Sequence, residues 1–383
     1  MKKIMVIGAG EFQVPLIKEC KKQGYFVIAT DMNSSAEGFK YADVALNIDT
    51  LDKELTLKNA IKYKIDGIVT TSDYPVRIVA YVCEKLNLPG LNSSAAEICT
   101  NKFLLRECLI KNKIECPKYF VINKESETEN VLKNFIYPVV VKPVDSSASR
   151  GVQMVNNYEQ LIKAYQEALY YSKSDSVIVE EFLEGPEFSV ESLTQDGKTF
   201  IISITEKTTN GLPYFVEDRH VIPAKLTEIE EEQIKSEVIK IIPIIGINNS
   251  ACHTEIKLTK NGVKVIEIGA RLGGDYITSD LVPLSTGINM LENIIKISLG
   301  LKIKVDKKFN YYAGIQFINS KNYNVVSQHI NNLANDASII RYSIDTNPKD
   351  NTLKNSLDRE GYYICVMKDR NDLYNKLDNY LNK

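Results

Sequence analysis

Apolar positions along this chain follow first a helix–strand alternation and later a period of two. Ile4 to Ile7 is a continuous apolar run that stops at Gly8-Ala-Gly10, and Val14 to Lys22 then takes helical spacing. Val27 to Ala29, ending at Asp31, and Ile65 to Thr71 read as further strands, and Ile78 to Leu86 as a helix. Strands alternating with helices predict an α/β fold with a parallel, doubly wound sheet. Helices are also predicted over Phe103 to Lys111 and Tyr158 to Tyr170, with strands at Tyr137 to Val144 and from Val177. Beyond residue 300 the chain predicts strands at Tyr311 to Ile318, Ile339 to Ile344 and Tyr362 to Met367, then an amphipathic helix, Asn371 to Leu381.

The segment from His253 to Arg271 carries the sharpest pattern. Asn261-Gly262 marks a turn, and Gly262 can take the positive φ of a three-residue loop closing in a bulge. With Lys260 to Gly262 as that loop, Ile256 faces Ile266, Thr254 faces Ile268, and Glu255 faces Glu267. Opposed glutamates repel unless a cation lies between them. A divalent metal on carboxylate oxygens is the natural candidate, and magnesium usually arrives bridged to substrate phosphates. Arg271-Leu-Gly273-Gly274-Asp follows at once with a cation and a flexible turn.

Composition narrows the partners. Of 383 residues, 44% are apolar and 25% charged, with a net charge of −2 and dispersed basic residues. That argues against nucleic acid or an anionic membrane as the main partner. Seven cysteines without CxxC spacing suit reduced thiols in a cytoplasmic enzyme. The first apolar run is too short for a signal segment or a membrane span.

Lys142 sits alone on the apolar run after Tyr137-Pro, and a buried lysine needs an anion or gives up its charge. The next residues, Asp145-Ser146-Ser147-Ala-Ser149-Arg-Gly151, form a small-residue loop whose amides and hydroxyls suit phosphate oxygens. Val177 to Glu187 adds a strand, an acidic linker and a second acidic point. Asp73, at a strand's carboxyl end, is read as a substrate contact or a helix N-cap. Arg219 and His220 suit a carboxylate or phosphate, and His220 also suits proton transfer. His253 reads as a satisfied core histidine.

In this order, the lysine strand, phosphate-type loop, acidic linker and twin-glutamate hairpin resemble the ATP-grasp superfamily. The likeness is to its carboxylate–amine ligase branch, related to carbamoyl-phosphate synthase and biotin carboxylase and L-amino acid ligase-like. It implies a Rossmann-like domain over 1–98, an ATP-grasp domain over 99–300 with its nucleotide-binding part near 117–184, and an α+β cap over 301–383. That β-rich cap closes the site from one side or helps form a homodimer. The resemblance assigns Lys102 and Lys142 to nucleotide phosphates beneath a loop of Ser146, Ser147, Ser149 and Gly151. Glu180, Glu181, Phe182 and Leu183 become the adenine linker, with Glu187 on the ribose. Glu255 and Glu267 become ligands of magnesium, or of manganese in its place, and Arg271 stands beside the reacting phosphoryl group. Two features depart from the family: the loop is poor in glycine, and Gly269 stands where an asparagine often follows the second metal glutamate. The second departure leaves the number of metal ions open.

The expected activity is an ATP-dependent ligase that turns an acid into an acyl phosphate and couples it to an amine. Arg271, Lys142 and His220 are the catalytic candidates; Asp73, Arg219, His220, Arg271, Gly273 and Gly274 border the substrates. A nicotinamide-dependent oxidoreductase built on Gly8-Ala-Gly10 and Asp31 is the alternative from another class, although Gln13 replaces its third glycine. A non-catalytic nucleotide-binding module and a carboxylase using bicarbonate are the others.

Overall fold

The computed structural model describes residues 1–346, 348 and 353–381. The first sheet is parallel and contains β1 (Lys3–Ile7), β2 (Phe26–Asp31), β3 (Val44–Asn47) and β4 (Gly67–Val69), in the order β3-β2-β1-β4. Its helices are Val14–Lys22, Lys53–Tyr63 and Val76–Leu86. Pro15 near the start of the first costs no hydrogen bond there, because the opening amides of a helix have no intrahelical partner.

The loop after β1 is filled by its own chain. Both Asp31 carboxylate oxygens accept backbone amides, from Ala9 at 2.8 Å and Asn33 at 2.9 Å. Gln13 lies across Gly8 and Gly10 and donates to Ser72 Oγ at 2.9 Å, and Gly38 N–H donates to Ala9 O at 2.7 Å. A nicotinamide cofactor would need that glycine turn and that aspartate free, so the oxidoreductase reading loses its site.

A second, antiparallel sheet holds β5 (Tyr119–Ile122), β6 (Val139–Pro143), β7 (Gln153–Val155) and β8 (Val177–Glu181), ordered β5-β8-β6-β7. The helix Tyr158–Tyr171 packs on it, N-capped by Asn157, whose side chain accepts the Gln160 amide. Its core (Ile122, Val139, Val141, Leu161, Tyr165, Val179) is separate from the others.

The third sheet is antiparallel and eight-stranded. Its strands are β9 (Glu187–Gln195), β10 (Lys198–Thr209), β11 (Glu217–Ile222), β12 (Ser250–Thr259), β13 (Gly262–Gly269), β14 (Tyr312–Ile318), β15 (Ile339–Ile344) and β16 (Gly361–Met367). They run β13-β12-β9-β10-β11-β14-β16-β15, so the C-terminal strands extend the same sheet through β11. The helix Glu228–Ile245 covers one face, opened by the Thr227/Glu230 capping box and closed by Gly246 at φ +85°. Ile4, Val6, Leu16 and Ile17 of the first layer share a core with Ile294, Ile295, Ile315 and Ile364. The first and third sheets are thereby locked together. Among the described residues no helix is long and apolar enough to cross a membrane, and all seven cysteines are free thiols.

Candidate active site

The hairpin β12–β13 does oppose Glu255 and Glu267, but by another route than the expected loop. Thr259 pairs with Gly262, so the turn holds only Lys260 and Asn261, with Gly262 at φ +101°. The extra residue appears further along, as a bulge at Ile266: Ile256 faces Val265, and the register then shifts to Glu255–Glu267. Bulges re-aim side chains beside functional sites. Here Ile256, Val265 and Ile268 stay in the core while Ile266 and Glu267 line the cleft.

The two carboxylates do not share one cation. Lys207 Nζ lies 2.6 Å from Glu255, 2.9 Å from Glu187 and 3.6 Å from Glu217, and Lys102 Nζ lies 3.2 Å from Glu267. His253 Nδ1 is 2.5 Å from Glu191 and its Nε2 is 3.5 Å from Glu255. Burial disfavours the imidazolium, but Glu191 and Glu255 outweigh it and hold the His253 pKa up at about 9. Burial also opposes the Glu255 charge, yet Lys207 and His253 keep its carboxyl well below the usual range. Among the described residues no three His, Cys, Asp or Glu gather as a metal cage. A divalent ion on this pair would therefore complete its shell from phosphate oxygens and water. Magnesium favours that arrangement, so the donor set fits it.

At the nucleotide end, Lys142 on β6 lies 2.5 Å from Glu180 on β8, and Arg106 Nε lies 2.8 Å from the same carboxylate. Both cations and the carboxylate are buried. Burial raises a carboxyl pKa, but Arg106 and Lys142 overcome it and hold Glu180 at about 2. Lys142 is pushed below the ordinary lysine value by burial; Glu180 opposes this and Arg106 reinforces it. Two cations share one anion, so the pocket is short of negative charge. A phosphate would supply it.

Glu180 is thus committed to this triad and is not free to read a base. Glu181 accepts the Lys118 amide at 2.9 Å, and Leu183 O accepts from Lys257 Nζ at 3.0 Å. Phe182 stacks on Phe215 with centroids 6.0 Å apart, and Lys257 lies 4.9 Å over its ring. In the phosphate-type loop, Lys102 Nζ donates to Ser146 O at 2.7 Å and Arg150 Nε donates to Ser147 O at 3.0 Å. Ser146, Ser147 and Ser149 line the cleft, whereas Gly151 packs behind it against Ala168 and Tyr171. Ala148 and Ser149 sit at φ +59° and +56°, where a side chain is strained. Ala148→Gly should remove about 1 kcal/mol of that strain while loosening the loop. Hydrogen exchange over 145–152 without nucleotide should quicken, and unchanged exchange would show that the alanine does not restrain it.

At the far end, Asp73 grips Arg271 with two bonds, Nε at 2.5 Å and Nη2 at 3.1 Å. This settles Asp73 against the N-cap reading, since Pro75 caps the helix Val76–Leu86. Gly273 N–H donates to Glu191 at 3.3 Å, and a Cβ there would meet Glu191 and His253 at 2.7 Å. Its amide is occupied, while Gly274 borders open space. His220 is buried at the cleft wall with Nε2 3.6 Å from Asp275, which Arg359 also holds at 2.9 Å. Arg219 is the exception. Strand alternation turns it to the other face, onto Gln316 (2.7 Å) and Asp378 (2.5 Å), away from the cleft.

One cleft of about 490 Å³ is lined by Asp73, Lys102, Lys142, Ser146, Ser147, Ser149, Glu180 to Leu183, Glu187, His220, Glu255, Glu267, Arg271, Gly273 and Gly274. Of the expected residues only Gly151 and Arg219 lie outside its lining. Arg106, Glu191, Lys207, Asp275 and Arg359 were not expected. Arg106 left a partial signal, a cation on the inward face of its helix with Lys102, Leu105 and Leu109, whereas Lys207 sits in the polar run Thr205 to Thr209 and left none.

Residues 135–280 match the ATP-grasp domain family. The chain is 29% identical over 245 residues to alanine–anticapsin ligase of Bacillus subtilis (strain 168), covering 58% of this chain and 51% of that protein. It spans about half the length of the curated relatives it matches. Its fold superposes on phosphoribosylglycinamide synthetase from Anaerococcus prevotii (TM-score 0.75, 26% identity, 100% of this chain and 98% of that one). L-amino acid ligase from Bacillus licheniformis superposes with a TM-score of 0.81 at 22% identity, over 99% of this chain and 98% of that one. With its lysine strand, phosphate-type loop and opposed glutamates on that fold, the chain carries a stretch, residues 135–280, that matches the ATP-grasp domain.

Proposed function

We propose that this protein is an ATP- and magnesium-dependent ligase joining a carboxylic acid to an amine, with ADP and phosphate as co-products. One observation carries the reading. Lys102, Lys142 and the Ser146–Ser149 loop face the same cleft as Glu255, Glu267 and Arg271. Phosphoryl transfer asks mainly for positioning and charge neutralisation, and these residues supply both. The anion-deficient triad of Arg106, Lys142 and Glu180 draws in a phosphate, and Lys102 spans that end and Glu267. Glu255 and Glu267 would hold magnesium, which neutralises charge on phosphate oxygens. The acid's carboxylate attacks the γ-phosphorus, ADP leaves, and an acyl phosphate results. The amine then attacks the acyl carbon and displaces phosphate, while Arg271 offsets the oxyanion. His220, backed by Asp275, accepts the proton the amine sheds.

In this division of labour residues 1–98 clamp Arg271 through Asp73, 99–300 hold the nucleotide, and 301–383 wall the substrate end. The relatives' names make amino acids the first acids and amines to try. Mixtures with Mg-ATP should release ADP and phosphate only when both acid and amine are present. Release that needs bicarbonate and no amine would favour a carboxylase, and no release with any pair would leave a non-catalytic nucleotide site.

A further inference from the structure

The segment after β4 touches more of the active site than any substrate assignment requires. Its start is anchored where Thr70 Oγ1 donates to Ile7 O at 2.8 Å, and its end enters the helix Val76–Leu86. Between these fixed points its side chains fan out. Ser72 accepts from Gln13 in the turn after β1, and Asp73 grips Arg271. Tyr74 reaches across to the root of the phosphate-type loop, where its hydroxyl donates to the carbonyl of Asp145. Just inside the helix, Arg77 donates to Thr100, two residues before Lys102.

The Tyr74 contact is built from three sides. Lys173 places its ammonium 3.4 Å from the centre of the Tyr74 ring, a cation–π contact. The backbone amide of Lys173 and the hydroxyl of Ser172 both donate to Asp145 Oδ1, at 3.0 and 3.2 Å. Asp145, Ser172 and Lys173 flank β6 and the helix Tyr158–Tyr171, which pack around a core of their own, whereas Tyr74 lies in the segment between β4 of the first sheet and the helix Val76–Leu86. The tyrosine therefore bridges two bodies at the residue just before the loop.

We propose that Tyr74 is a positioning residue that couples closure of the Ser146–Gly151 loop to the placement of Arg271. Movement of the Asp145 carbonyl acts on the Tyr74 hydroxyl. One peptide bond away, Asp73 holds the Arg271 guanidinium by a two-bond fork that passes on rotation as well as translation. With both ends of the segment anchored, the displacement is confined to Thr71–Pro75. The arginine beside the reacting group is thus set when the nucleotide loop is set. This rests on the nucleotide-loop reading above.

Hydrogen exchange on the whole protein, with and without the magnesium complex of a non-hydrolysable ATP analogue, tests the coupling. In the parent chain, exchange should slow across 145–152 and also across 70–76, where Ser72 and Val76 amides are hydrogen-bonded. Tyr74→Phe keeps the ring under Lys173 and removes only the hydroxyl. It should keep the response at 145–152 and reduce that at 70–76 about tenfold, the scale of one lost hydrogen bond. With a productive acid–amine pair, its kcat should fall by a similar factor while KM for ATP stays within about twofold. An unchanged response at 70–76 in Tyr74→Phe overturns the coupling. So does a parent chain in which 145–152 responds and 70–76 does not. Silence at 145–152 in the parent chain removes the nucleotide-loop reading itself, and the coupling with it.

Discussion

Glu180→Gln should lower stability by about 3–5 kcal/mol, the cost of leaving buried charges without their partner. Arg106 and Lys142 lie within 2.8 Å of this carboxylate and are buried with it. Glutamine offers them one neutral oxygen. The denaturant midpoint should fall accordingly, and saturating ATP should restore more stability to the variant than to the parent, because phosphate then becomes the main anion for both cations. Arg106→Leu should cost less, since Lys142 still has Glu180. Acid titration gives an independent check. The folded Glu180 titrates at about 2, below the roughly 4.3 of an unfolded glutamate. Its stabilisation is therefore fully present above the unfolded value and is lost as pH falls through the folded one. Glu180→Gln should lack that part of the acid-side loss. An unchanged midpoint would mean that the triad does not hold β6 to the helix Lys102–Lys111.

Glu267→Gln should reduce magnesium-dependent ADP release by at least about a hundredfold, the scale seen when charge stabilisation is removed from a reacting centre. The fold should survive, because Glu267 is partly exposed and its ion-pair partner Lys102 also donates to Ser146 O. Opposed glutamates suggest at first that the glutamine variant would gain stability by relieving repulsion. The structure reverses that expectation. Glu255 already has Lys207 and His253, and Glu267 has Lys102, so little repulsion remains to relieve. A thermal-shift titration with magnesium in the presence of ATP should show a response in the parent and a lost or much weaker one in the variant. Near-parental turnover would remove Glu267 from the metal-binding pair.

Several elements were legible because their signals are local. The helix Val14–Lys22 and strand Ile339–Ile344 occur over the residues the apolar spacing predicts, and others shift by a few positions at their ends. Turn chemistry was less decisive. Gly262 has the positive φ expected of it, yet the hairpin spends its extra residue at Ile266 and not in the loop. Either placement satisfies the Glu255–Glu267 pairing, and periodicity cannot separate them. Packing of Ile256 on Val265, both buried, does.

What the sequence by itself determined is where charge is placed against an apolar pattern. Lys142 on an apolar strand, Glu255 and Glu267 on a hairpin, and Arg271 before paired glycines each carry a desolvation cost that calls for a partner. The identity of those partners was decided by the tertiary structure alone. Arg106 comes to Glu180 from 74 residues away and Asp73 to Arg271 from 198. Lys207 meets Glu255 because β9 lies between β10 and β12. Such pairings depend on strand order and on which face a residue takes, and Arg219 shows the second point. It sits next to His220 in sequence yet faces the other way, because alternate residues of a strand point to opposite sides of the sheet.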